Sequence, residues 1–130
     1  TTPPNRPRLN AIFGVDAATC LVAGLVLALG ASALEPLTGL PVALSRVAGA
    51  MLFAVAALFA AMAAMRPIPR WLTLFGVFGN LAWVAASLAV VMIAPLNGLG
   101  VAFVAAQALV VAVLAWLEWT NSRPTAHAAA

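Results

Sequence analysis

Four long apolar stretches, separated by short polar breaks, make up most of this chain: Leu9–Leu34, Val42–Met65, Trp71–Ala94 and Leu99–Trp119. Each holds the roughly 20 residues that a helix needs to cross about 30 Å of hydrocarbon. The breaks are rich in proline, which stops and starts helices well: Glu35-Pro36 leads to Pro41, Arg66-Pro67-Ile68-Pro69-Arg70 joins the halves, and Pro95-Leu96-Asn97-Gly98 closes the last hairpin. Connections this short make consecutive helices antiparallel neighbours. The pattern predicts an all-α polytopic membrane protein with four transmembrane helices arranged as two antiparallel hairpins. Residues 1–8 form an arm, 9–119 the membrane domain (spans 9–34, 42–65, 71–94 and 99–119), and 120–130 a tail.

Composition agrees with that pattern. Apolar residues make up 65% of the 130 positions and charged residues 7%, against about 45–50% and 25% in a soluble domain. Mean hydropathy is +1.12. A soluble fold of this composition would expose more apolar surface than water tolerates. The first stretch has some features of a secretory signal, with Arg6 and Arg8 ahead of it and Ala31-Ser32-Ala33 near its end. Its length and the acid inside it, Asp16, favour a retained span, because signal cores run to about 7–15 residues.

Charge sets the expected orientation. Arg6, Arg8, Arg66, Arg70 and Arg123 fall on one side of the membrane and Arg46 alone on the other. Such a bias predicts both termini and the Arg66–Arg70 connection in the cytoplasm of a cell with a multi-pass inner-membrane protein. Trp71, Trp116 and Trp119 fall at that same interface, where amphipathic rings settle. The net charge of +3 therefore reads as topology rather than as a nucleic-acid footprint. Arg usage without lysine, in an Ala-rich chain, suits a bacterial source.

The halves also resemble one another. Arg8 followed by Phe13-Gly14-Val15 recurs as Arg70 followed by Phe75-Gly76-Val77, and Val22-Ala23 recurs at the same offset as Val84-Ala85. Both halves start on the same side, so the pattern implies a parallel internal repeat.

The polar residues inside the spans carry the candidate chemistry. Asp16 lies eight residues past Arg8, about 12 Å along a helix. An ionised Asp at a span centre costs roughly 2.5–3.5 kcal/mol, so such residues face a bundle interior or a cavity. Asp16, Thr19, Cys20, Ala23 and Gly24 form one small-residue stripe, and Gly76, Gly79, Asn80, Trp83 and Ser87 form a comparable face on the third span. Asn80 is near the midplane, with Gln107 at similar depth on the fourth span. Asp16, Asn80, Trp83 and Gln107 are therefore expected to form one buried polar cluster. It reads either as a proton, ion or ligand site with Asp16 titrating, or as interhelical hydrogen bonding worth around 0.6 kcal/mol a pair.

The remaining charges read as interface features: Glu35 and Arg46 flank the outer connection and could pair, and Glu118 is expected at the inner end near Arg66, Arg70 or Arg123. His127 lies in the Ala-rich tail. No spanning helix carries a His, which disfavours haem ligation and a nucleophile–base pair, and the donors for a metal site are lacking. A single cysteine, Cys20, excludes an intrachain disulfide. The expectation is a non-enzyme without cofactor or metal.

Leu9-Asn10, Gly39-Leu40-Pro41, Gly49 and Asn80-x-x-Trp83-Val84-x-x-Ser87 resemble the pattern of small bacterial four-helix integral membrane proteins. The resemblance implies architecture and no activity. Three roles follow for a chain whose partners are the bilayer and either a larger membrane complex or copies of itself. The first is a structural or accessory subunit, suggested by the small-residue runs Ala56-x-x-x-Ala60-x-x-x-Ala64, Ala57-x-x-x-Ala61 and Gly76-x-x-Gly79. The second is a proton-coupled small-molecule or ion transporter acting as an oligomer through Asp16. The third is a lipid, quinone or pigment binder using Trp83 and Phe78.

Overall fold

The computed structural model describes residues 5–122. The outer parts of the expected arm and tail, with Arg123 and His127, lie outside that range. Among the described residues there are five helices: α1 (Asn5–Leu29), α2 (Ala31–Thr38), α3 (Val42–Ala63), α4 (Arg70–Ile93) and α5 (Gly98–Ser122). Four are long and apolar enough to span a membrane, over Arg8–Leu29, Val42–Ala63, Arg70–Ile93 and Gly98–Ser122. At 1.5 Å per residue these spans measure about 33–38 Å, enough for the hydrocarbon layer with a modest tilt. The protein is an all-α polytopic membrane protein.

Two boundaries differ from the sequence reading. α1 begins at Asn5, so part of the expected arm is helical. The first span also ends at Leu29 rather than Leu34: the chain breaks at Gly30, whose N–H still reaches Val26 O at 2.9 Å, and restarts as the short α2. A Cβ at residue 30 would stand 2.5 Å from Val26 O, so glycine permits the bend. α2 ends in Gly39 at φ 81°, the left-handed conformation favoured for closing a helix.

The side without the termini is pinned by backbone contact. Asn97 N–H donates to Thr38 O at 3.0 Å, and its Nδ2 donates to Leu37 O at 2.8 Å. Asn97 Oδ1 also accepts from Gly100 N–H at 2.8 Å, capping α5. On the opposite side Asn10 Nδ2 donates to Ala63 O and Met65 O, both at 2.7 Å, satisfying carbonyls left free where α3 ends. Arg70 Nη1 donates to Ser122 O at 2.9 Å, placing a cation at the negative end of α5. The α3–α4 and α4–α5 connections are thus each tied to an element distant in sequence.

α1 packs along α3, and α4 along α5. At the α1–α3 crossing a Cβ on Gly49 would lie 2.6 Å from Ala28 N and 2.9 Å from Gly24 O, so the two backbones touch. Lipid offers no hydrophobic drive between helices, and contact this close supplies dispersion energy instead. Nearer the termini Phe13 is fully buried, 5.4 Å from Phe59 between ring centroids, with Gly76 of α4 against its edge. Phe13 therefore joins α1, α3 and α4 in one core with Met62, Leu52, Ala56 and Leu72.

The repeated motifs do not occupy equivalent environments. Phe13 is buried and Val15 exposed, whereas Phe75 is exposed and Val77 buried. The second motif is rotated relative to the first, and the second hairpin has no counterpart of α2. The likeness of these two motifs does not extend to their burial. The small-residue runs divide similarly: Ala56 faces the core, whereas Ala57, Ala60, Ala61 and Ala64 face outward.

A buried acid pair bridged by one asparagine

Asp16 on α1, Asn80 on α4 and Glu118 on α5 converge between three helices. Helical side chains lean toward their own N-terminus. α1 and α4 start on the side that carries the termini, so Asp16 and Asn80 lean back toward it. α5 runs the other way, so Glu118 leans inward from a backbone position about 6 Å from the helix end. The three groups meet in the half of the membrane nearer the termini.

Asn80 Nδ2 donates to Asp16 Oδ2 at 2.8 Å and to Glu118 Oε1 at 2.8 Å. A side-chain amide has two N–H donors, and here each goes to a different carboxyl. Cys20, one turn beyond Asp16, donates its thiol to Asp16 Oδ1 at 3.6 Å. Asp16 is 1% exposed and Glu118 0%. Glu118 Oε2 is buried and has no hydrogen-bond partner.

This placement corrects the reading of Glu118 as an interface charge. It faces the bundle interior rather than the arginines, and Arg70 is engaged with Ser122. The sequence did hold a signal: Glu118 lies eleven residues after Gln107, nearly on the same helical face, and its lean carries it inward. Cys20, placed on the small-residue stripe, joins the site through Asp16.

The expected single cluster is in fact two networks. Trp83 Nε1 donates to Gln107 Oε1 at 2.8 Å, Gln107 Nε2 to Ser87 Oγ at 2.8 Å, and Ser87 Oγ to Trp83 O at 2.8 Å. This closed ring links α4 and α5 deeper in the membrane. Among the described residues no hydrogen bond connects it to the acid pair. On the far side Arg46 reaches Ser32 Oγ at 3.5 Å rather than Glu35, so the expected ion pair does not form; Arg46 meets the first turn of α2, one turn before Glu35.

Chemically, the site is a carboxyl pair around one neutral donor. Two ionised acids this close, in apolar surroundings, repel each other and lose their hydration, whereas one proton shared between them removes most of that cost. Among the described residues no three His, Cys, Asp or Glu side chains gather as a group able to hold a metal ion. Comparison with protein-family models, curated proteins and solved structures gives no match.

Proposed function

We propose that this protein is a proton-coupled membrane transporter of a small molecule or ion, acting as an oligomer, in which Asp16 and Glu118 hold and release the coupling proton. The observation that carries the reading is the shared donor: Asn80 Nδ2 holds two buried carboxyls that have no cationic partner among the described residues. Two acids without a cation are costly inside hydrocarbon, so their retention side by side suits a pair that carries a proton. Four spans leave little room for a complete pathway within one copy, so the reading includes self-association. The arginine bias supports an orientation with the termini in the cytoplasm of a bacterial inner membrane.

A second reading, an accessory subunit of a larger membrane assembly, is favoured by the outward face of α3. Ala50, Ala54, Ala57, Ala60, Ala61 and Ala64 are all exposed there, and small residues permit close helix contact.

Infrared difference spectroscopy of the protein in liposomes, between acid and alkaline buffer, tests the proton reading. A buried carboxylic-acid band should appear on acidification, and Asp16→Asn and Glu118→Gln should each remove or displace it. Absence of any such band in folded wild-type protein would overturn proton coupling at this pair and leave the accessory reading in place.

A further inference from the structure

The acid pair faces inward, but α4 and α5 also form a groove on their outer side. It encloses about 350 Å³ and is lined by Val77, Phe78, Leu81, Ala112, Trp116 and Trp119. Its depth profile is specific. On α4 it runs from Val77 to Leu81, about 10 to 17 Å from Arg70 along the helix axis. On α5 it runs from Trp119, near the helix end, down to Ala112, about 15 Å from Ser122. The lining therefore lies between about 5 and 17 Å from the helix ends on the side of the termini, within the depth of one leaflet.

Arg70 lies beyond its end on the side of the termini. Arg70 is two helical turns before Val77, hence on the same face of α4, and Arg70 Nη1 bridges to Ser122 O across the mouth between the helices. That bond uses one of the five guanidinium N–H donors. The positive end of the α4 dipole lies beside it, and helix N-termini favour phosphate. Trp119 and the largely exposed Trp116 line the walls, offering flat apolar surface below that cation.

We propose that this groove is a binding site for an anionic phospholipid of the leaflet on the side of the termini. One acyl chain lies between α4 and α5 against Trp116 and Phe78, and the phosphate is held by Arg70. The occupant follows from two features together: a one-leaflet apolar slot, and a cation fixed at the depth where a headgroup sits. A partner helix would continue past the midplane, where the groove stops, and a zwitterionic lipid would bring its own headgroup cation beside Arg70.

The test uses the four tryptophans as reporters and bromine on the lipid tails as quencher. The full-length protein is reconstituted into phosphatidylcholine vesicles containing increasing fractions of brominated phosphatidylglycerol or, separately, brominated phosphatidylcholine. Half-maximal quenching should need at least about threefold less of the anionic lipid than of the zwitterionic one. Arg70→Gln should abolish that preference, Arg70→Lys should retain part of it, and Ala112→Phe, which fills the deep end, should reduce quenching by both lipids. Equal quenching by the two lipids in the wild-type protein would overturn the proposal, and that comparison requires no variant to fold. Preference that survives Arg70→Gln would also overturn it, by placing the headgroup elsewhere. Excess inorganic phosphate should not displace the lipid; displacement would show a free-anion site rather than a lipid site.

Discussion

Asp16 and Glu118 come from opposite ends of the chain and meet at a single nitrogen, Asn80 Nδ2, 2.8 Å from each. Neither acid has a cationic partner among the described residues. Their compatibility with the membrane therefore depends on Asn80, on the Cys20 thiol and on each other. Asn80→Leu removes both donors at once while keeping the branched shape at Cγ. The expected loss is about 3 kcal/mol, in the range seen when one partner of a buried charged group is deleted. Equilibrium unfolding in mixed micelles with increasing dodecyl sulfate measures it. Glu118→Gln, which relieves the repulsion, should stay within about 1 kcal/mol of wild type. If Asn80→Leu proved as stable as Glu118→Gln, the bridging role of Asn80 would be refuted.

The α1–α3 crossing makes a second prediction about glycine. Gly49→Ala introduces a Cβ 2.6 Å from Ala28 N, a backbone atom that cannot swing aside. The helices must separate along that contact, and the expected cost is about 1–3 kcal/mol. Gly79→Ala is the control, because a Cβ there meets nothing within 4 Å. That change should be neutral, or stabilising by up to about 1 kcal/mol through helix propensity. The same unfolding assay ranks the two variants, and equal effects would contradict the close crossing.

Asn10 provides a third test, at the junction between halves. Its amide donates to two carbonyls, Ala63 O and Met65 O, where α3 ends. Asn10→Ala strands both of them and should cost about 1–2 kcal/mol, comparable to losing a helix cap. Local opening should precede global unfolding: a protease acting on the connection around Ile68 should cut Asn10→Ala faster than wild type under native conditions. Unchanged cleavage would show that the junction is held by other contacts.

The four spans were legible because bilayer thickness imposes a length that apolar runs reveal directly. The break at Gly30 was not. Leu29 to Leu34 is apolar enough to continue a helix, and the bend depends on how α2 and its loop meet Asn97 across the bundle. Asp16, Asn80 and Gln107 stood out as polar residues in hydrocarbon, yet their grouping did not follow from depth alone. Asn80 turns to α1 and α5, whereas Trp83, three residues later on α4, turns to Gln107. Which neighbour each side chain faces is set by helix rotation, and Phe13 against Gly76 fixes that rotation. Glu118 was misplaced for a related reason: near a helix end, the direction of lean decides between interface and interior.

The separation of the two polar networks leads to the last prediction. Gln107 accepts from Trp83 and donates to Ser87, so Gln107→Leu leaves the indole N–H without its partner. Interhelical hydrogen bonds in membranes average about 0.6 kcal/mol, and the variant breaks two, giving an expected loss of about 1 kcal/mol. A double-mutant cycle with Ser87→Ala isolates the Gln107–Ser87 share, because Ser87 Oγ also bonds its own helix at Trp83 O. The acid pair should not respond, since no hydrogen bond among the described residues joins it to this ring. The carboxylic-acid infrared band of Asp16 and Glu118 should therefore be unchanged in Gln107→Leu. A displaced band would mean that the α4–α5 contact at Gln107 sets the geometry of Asn80. The two networks would then act as one polar path through the bundle, and proton release could be steered from the deeper half of the membrane.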